Sequence, residues 1–443
     1  MSPPPAPCLS CKGKLVARVL LLIAAALGCE PTDNLIGVIA NNAKGGAVGG
    51  DTATDDGDAG GGAGGNGSDR AGASGFGGGG SPFGGAAGTD AAGASGTATF
   101  DAGIDYQIGQ SPRALALADL DADGQLDLVV ANWESSSVSF FRGVGDGTFT
   151  DRVDYPTSYK ANSLALVDLN ADDRLDIVLV AYESRSVKVL LGAGDGSFGA
   201  IAEFPSTSDM FSLSVGDVNH DGKLDLATSP GNTGSVSVFL GTGDGAFAEP
   251  NEFATTSACF SVALRDVNGD GHLDLAWVNA ESQSATLLFG AGDGTFPQSK
   301  DFATGAHPIF VTFEDLNRDG QLDLVTADTD ASEIGVRLGT ADSDFGTRVG
   351  YASEGFPTYV SFSDLNGDQA PDMLVVSAHS NLVSVRMGNG DGTFADKVDY
   401  PTGYGPTMAA VADLNSDTVS DLVVTNSISG SITVRLGSRS KWR

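Results

Sequence analysis

The stretch Asp119-Leu120-Asp121-Ala122-Asp123-Gly124-Gln125-Leu126-Asp127 decides the architecture, because it recurs. Equivalents begin at Asp168, Asp217, Asp266, Asp315, Asp364 and Asp413, each 49 residues after the last, without an insertion or deletion. A second string, Gly-x-Gly-Asp-Gly-x-Phe, starts at Gly143, Gly192, Gly241, Gly290 and Gly388. It is degraded at Gly339, and only its first Gly survives at Gly437. Units of constant length signal one supersecondary element stacked repeatedly.

Each unit reads as four short strands. Arg113–Ala118 alternates small and apolar residues, and Leu126–Ala131 is a nearly continuous apolar run, as in a strand buried on both faces. Val138–Phe141 and Phe149–Tyr155 supply the third and fourth, the last ending at Pro156. Gly- and Asp-rich turns separate them, and no stretch shows helical periodicity with caps. The expected fold is all-β, a seven-bladed β-propeller of four-stranded blades.

Closure can be read independently. The last unit stops at Gly437, after its third strand. Residues 100–106 lie 49 positions before Phe149–Tyr155 and match them at Phe100, Asp105 and Tyr106. An N-terminal strand should therefore complete the last blade and leave the ring without a free edge.

The nine-residue string carries oxygen-bearing side chains at positions 1, 3, 5 and 9. These are Asp119, Asp121, Asp123 and Asp127 in unit 1, and Asp168, Asn170, Asp172 and Asp176 in unit 2. Units 3 and 4 have Asp217, Asn219, Asp221, Asp225 and Asp266, Asn268, Asp270, Asp274. Units 5 and 6 have Asp315, Asn317, Asp319, Asp323 and Asp364, Asn366, Asp368, Asp372, and unit 7 has Asp413, Asn415, Asp417, Asp421. With a backbone carbonyl at position 7 and water, each loop offers six or seven oxygens, about the shell of a calcium ion. Without a cation, two carboxylates near 4 Å repel by about 4 kcal/mol at an effective dielectric of 20. Turn hydrogen bonding alone is the plainer reading, but turns do not need four oxygen side chains in every unit. An EF-hand is excluded, because position 12 is never Glu and a strand follows position 9 directly. Position 6 is Gly in units 1, 3, 4 and 5, which suits a positive φ. It is Asp173, Gln369 and Thr418 elsewhere, and units 6 and 7 also lose the Leu at position 8. Up to seven calcium ions are expected, held most weakly in units 6 and 7.

These strings resemble those of the FG-GAP/VCBS repeat family, found in integrin α-subunit propellers and bacterial secreted proteins. The resemblance covers residues 100–437. It implies a seven-bladed propeller with calcium in the hairpin between the first and second strands, on the positions named above. It implies no single activity, since such propellers include adhesion receptors, lectins and polysaccharide-active enzymes.

Ahead of the repeats, residues 1–28 read as a secretory leader. Lys12, Lys14 and Arg18 precede an apolar run, Val19–Leu27, too short to span a bilayer. The end, Ala26-Leu27-Gly28-Cys29, resembles a lipobox, which implies lipidation of Cys29 and a bacterial outer-membrane or cell-surface lipoprotein. Ordinary cleavage after Ala26 would give a periplasmic or secreted protein instead. Residues 29–99 form a Gly/Ala-rich linker expected to be disordered: 22 of the 52 residues from Gly45 to Gly96 are Gly. Such a coil spans on the order of 40 Å. Residues 438–443 read as a tail. Cys8 and Cys11 would leave with the leader, and Cys259 occupies the slot of Pro112, Pro308, Pro357 and Pro406, as a buried small residue would.

The chain has 443 residues and a formal charge of −33, from 24 Lys+Arg against 57 Asp+Glu. That sign argues against a nucleic-acid partner, and contact with a membrane is expected only through the lipid anchor. Alternating strand direction puts the acidic loops and the Gly-Asp-Gly turns on one face. The second-to-third turns and blade links lie on the other. There one slot varies widely (Trp133, Tyr182, Gly231, Ala280, Thr329, Ala378, Ser427), and Tyr159, Phe211, Phe356, Tyr359 and Tyr404 are unevenly spread. The recurring Glu134, Glu183, Glu281 and Asp330 read as turn-solubilising. No Ser-His-Asp order, zinc spacing or phosphate loop is evident, and no catalytic residue is assigned. The expected function is a monomeric, calcium-binding adhesion module that recognises a protein or glycan on the variable face. A structural envelope component without a small ligand is the alternative, and a polysaccharide lyase or hydrolase a more distant one.

Overall fold

The computed structural model describes residues 40–42, 98–232, 234–255, 257–340 and 344–439. Every regular element among them is a strand. In the first blade Pro112–Ala118, Asp127–Asn132, Ser137–Gly143 and Phe149–Pro156 pair antiparallel in chain order. Five further blades repeat the pattern, their inner strands starting at Lys160, Ser212, Val262, Pro308 and Pro357. The seventh contains Pro406–Ala412, Asp421–Asn426 and Ser431–Arg435, and takes its outer strand from Ile104–Gln107. Ile104 lies opposite Val434 and Tyr106 opposite Ile432. The expected closure is therefore present.

Burial explains the strand composition. Pro112–Ala118 and Asp127–Asn132 are buried throughout, whereas Phe149–Pro156 is mostly exposed. A sheet covered on both faces needs runs of apolar residues rather than alternation. The core is a set of layers between blades: Leu115, Leu117, Leu128 and Val130 of blade 1 pack with Val423, Ile432 and Val434 of blade 7.

Aromatic pairs bolt adjacent blades together. The Phe that ends the Gly-x-Gly-Asp-Gly-x-Phe string meets, edge to face, an aromatic ring of the preceding blade's outer strand. The pairs are Tyr106–Phe149, Tyr155–Phe198, Phe204–Phe247, Phe253–Phe296, Phe302–Phe345 and Tyr351–Phe394. Phe100–Tyr400 completes the set at a 5.2 Å centroid distance and 82°. Such pairs contribute about 0.5–1.5 kcal/mol each beyond their buried area. Phe100 and Tyr106, which matched the repeat in sequence, are thus the rings that join blade 7 to its two neighbours. The inner strands close as well, since Thr407 Oγ1 donates to the Pro112 carbonyl at 3.2 Å.

Two boundaries need correction. Ala98–Phe100 pairs with Gly437–Arg439, so Ala98 and Thr99 belong to the ring rather than the linker, and Ser438 and Arg439 to the ring rather than the tail. Here two separate chain ends replace the covalent turn of the other blades, and their pairing runs on. Within the linker, Ala40–Asn42 forms a short parallel strand on Leu213–Val215, at the inner edge of blade 3. An inner strand offers unpaired backbone groups toward the axis, and the segment that docks there lies just ahead of the Gly-rich stretch. The leader, Cys29 and the remainder of the linker lie outside the described residues.

Candidate metal centre

The acidic loops are built around their last Asp. In blade 1, Asp127 Oδ2 accepts the Leu120 amide at 2.9 Å and Oδ1 accepts the Gly143 amide at 2.9 Å. Asp176, Asp225, Asp274, Asp323, Asp372 and Asp421 repeat both bonds in their own blades. The second of these amides belongs to the first Gly of the glycine string. A Cβ on Gly143 would enter the van der Waals sphere of the Leu126 carbonyl oxygen, and one on Gly437 that of Ser420. That is why this Gly persists at Gly339 and Gly437, where the rest of the string is lost.

The other positions wrap the loop. Asp119 accepts the Asp123 and Gly124 amides at 3.2 and 3.0 Å, Asp121 accepts Asp123 at 3.2 Å, and Asp123 accepts Gln125 at 2.8 Å. The same pattern extends to blades 6 and 7, where Gln369 and Thr418 adopt φ of 71° and 67°. Position 6 thus has the positive φ its glycines suggested. Position 4 has it too, through Ala122, Ala171, His220, Arg318 and Ser416, a feature that its varied composition hides.

Three observations bear on whether a cation fits. In blade 1, ligand oxygens of Asp119, Asp121 and Asp127 lie within 4.8 Å of one another, while Asp123 falls outside that group. In blade 3, Asp217 Oδ1 is buried without a hydrogen-bond partner. Burial pushes the Asp127 carboxyl up to about 6, against the lowering effect of the Gly143 and Leu120 amides. The same cause raises Asp225, Asp274, Asp323 and Asp372 to about 6. Converging oxygens, an orphaned carboxylate oxygen and carboxyls strained toward protonation are what a bound dication would relieve. The all-oxygen donor set suits a hard ion such as calcium.

Blade 1 differs in one respect. It alone has Asp at position 3, and Arg142 Nη2 pairs with Asp121 Oδ2 at 2.7 Å. The slot of Arg142 holds Leu191, Leu240, Phe289, Leu338, Met387 and Leu436 in the other units. The extra carboxylate is thus matched by an extra guanidinium, so the four oxygen positions together with Arg142 carry the same formal charge as the three Asp and one Asn of the other loops.

On the opposite face, the variable slot is not a surface. Trp133, Gly231, Ala280, Thr329, Ala378 and Ser427 are buried, and Tyr182 is half-buried. Their variation fills different spaces beneath the links. Trp133 stacks on Tyr182 at 5.5 Å, with Arg113 and Lys160 over its ring. Of the link aromatics, Phe211, Phe356 and Tyr359 are buried, whereas Tyr159 is 42 % and Tyr404 67 % exposed. Glu281 does more than solubilise: it accepts the Ala258 amide at 2.8 Å and the Ser257 hydroxyl, and so ties a link to its blade. Cys259 is buried, and burial pushes its thiol up.

The FG-GAP-like repeat family matches residues 119–179, 168–228, 226–277, 266–326 and 364–424, and the chain belongs to that family. No curated protein matches the sequence. Among solved structures, BBS1N in complex with ARL6DN is similar at 10 % identity, with a TM-score of 0.55, over 77 % of this chain and 97 % of that one. A lectin of Agrocybe aegerita that recognises non-reducing terminal N-acetylglucosamine is similar at 18 % identity and a TM-score of 0.50, over 72 % and 86 %. Virginiamycin B lyase from Staphylococcus aureus gives 11 % and 0.51, over 76 % and 99 %. These likenesses establish the propeller fold.

Proposed function

We propose that this chain is a calcium-stabilised binding propeller, exported and tethered at a bacterial cell surface, that recognises a protein or glycan through the face opposite its acidic loops. The acidic loops would hold calcium through the side-chain oxygens of positions 1, 3, 5 and 9. A bound dication neutralises the clustered carboxylates and locks the hairpin between the first two strands of each blade. The observation that carries the recognition half is the placing of Tyr159 and Tyr404. They occupy one equivalent slot, in the links into blades 2 and 7, and both are exposed. The other units have Gln110, Ser208, Ser257, Ala306 and Gly355 there. Exposed aromatic rings on a rigid scaffold are common anchors of binding surfaces.

A glycan array probed with and without calcium, followed by binding to isolated cell envelopes, tests this reading. Tyr159→Ala with Tyr404→Ala should abolish binding and lower the melting temperature in calcium only slightly, through loss of the contact between the Lys188 ammonium and the Tyr159 ring. Equal binding by the parent and the double variant would remove the recognition half. Excess chelator tests the metal half by lowering the melting temperature well beyond an ionic-strength control, since a ligand bound only to the folded form stabilises it.

A further inference from the structure

Two of the four histidines meet on the acidic face. His220, at position 4 of the blade 3 loop, and His272, at position 7 of the blade 4 loop, bring Nε2 and Nδ1 to 2.8 Å. Their ring centroids are 4.9 Å apart at 67°. Neither nitrogen belongs to the oxygen set of the calcium loops. The pair rests over Gly292 in the blade 4 glycine turn, where a Cβ would collide with the His272 ring and crowd His220. Asp293, next in that turn, has its carboxyl held below the usual range by Thr295, with a smaller effect from His272. A carboxylate thus stands within electrostatic reach of the two rings.

We propose that His220 and His272 form a two-histidine site for a late transition-metal dication, Cu2+ or Ni2+, at the junction of blades 3 and 4. Imidazole is a preferred ligand of these ions, and affinity rises along the series toward copper. At 2.8 Å the two nitrogens already stand close enough for one ion to touch both once the rings turn. The exposed His220 ring must turn so that both lone pairs converge, and each ring then carries its proton on its other nitrogen. No net proton is released. Water would fill the remaining positions. The site also bridges two blades, so an ion there would fasten one acidic loop to the next.

Titration of Ni2+ into the full chain tests this, with exposed thiols alkylated and the acidic loops saturated with calcium. One equivalent should bind to the parent protein. His220→Asn, chosen because φ is 56° at this residue and Asn tolerates a positive φ, should weaken that binding about tenfold or more. His272→Gln should do the same, and His379→Gln should leave it unchanged. Cu2+ bound to the parent should show two-nitrogen hyperfine structure in its electron paramagnetic resonance spectrum. Nickel binding of equal strength in the parent and both variants, or none in the parent, overturns the site. The melting temperature in calcium, read in parallel, shows that the variants are folded and reports on the calcium loops separately.

Discussion

The amide of Gly241 donates to Asp225 Oδ1 at 2.7 Å across 16 residues of sequence, and so fastens the glycine turn of blade 3 to its acidic hairpin. The two repeated strings are therefore halves of one device. Its other bond, from the Val218 amide to Asp225 Oδ2 at 2.9 Å, closes the hairpin itself.

The loop positions should separate by what they hold. Asp274→Asn places an amide group against the Val267 or Gly290 N–H, at a site that is 1 % exposed. It should cost about 1–3 kcal/mol in chelator, and more in calcium, where a ligand of the ion is lost as well. Asp270→Ala should lose most of its effect once calcium is removed. Urea denaturation of both variants with and without chelator makes the comparison, and parallel behaviour of the two would show that position 9 acts only through the ion.

Gly241→Ala should destabilise by about 1–3 kcal/mol, as overpacking does, because the added carbon meets the Leu224 carbonyl oxygen rather than a movable side chain. Gly269→Asn is the control. Nothing lies within 4 Å of its Cβ, and Asn tolerates its φ of 72°. Thermal melts that rank the two in reverse order would contradict the packing argument.

Arg142 and Asp121 should be coupled. Asp121→Asn with Arg142→Leu recreates the pair found in most other blades, so the double variant should be nearly as stable as the parent. The coupling in a double-mutant cycle is expected at about 1 kcal/mol. Arg142→Leu alone leaves the extra carboxylate for the ion, and calorimetry should show tighter calcium binding at one site.

His307 gives the fold a pH dependence distant from the loops. Burial holds its pKa below the ordinary histidine value of about 6.5, against the raising influence of Asp330 and Glu281. The unfolded chain therefore takes up this proton first as pH falls. The stabilisation is complete above about 6.5 and is lost as pH drops below it. His307→Asn should flatten the fall in melting temperature between about pH 6.5 and 5, and an unaltered slope would assign that fall to other groups.

The strict 49-residue period made the ring legible, and Phe100 and Tyr106 made its closure legible, because each blade reuses the same packing. The acidic string pointed to its four oxygen positions. It did not show that Asp127 faces two amides, since a carboxylate at a loop end can serve an ion or a backbone equally well. Trp133 and its equivalents looked like display positions because a turn residue's burial depends on the link folded over it, which periodicity does not encode. Arg142 was detectable: the only charged residue in its slot accompanies the only Asp at position 3.

Ala98 lies opposite Arg439, so the two ends of the ring leave the seventh blade side by side. Force drawn between them would open that blade as a zip opens, one backbone bond after another, from Phe100 and Gly437 toward Gln107 and Ser431. The remaining six blades would bear load last, which makes this seam the mechanical fuse of the disc.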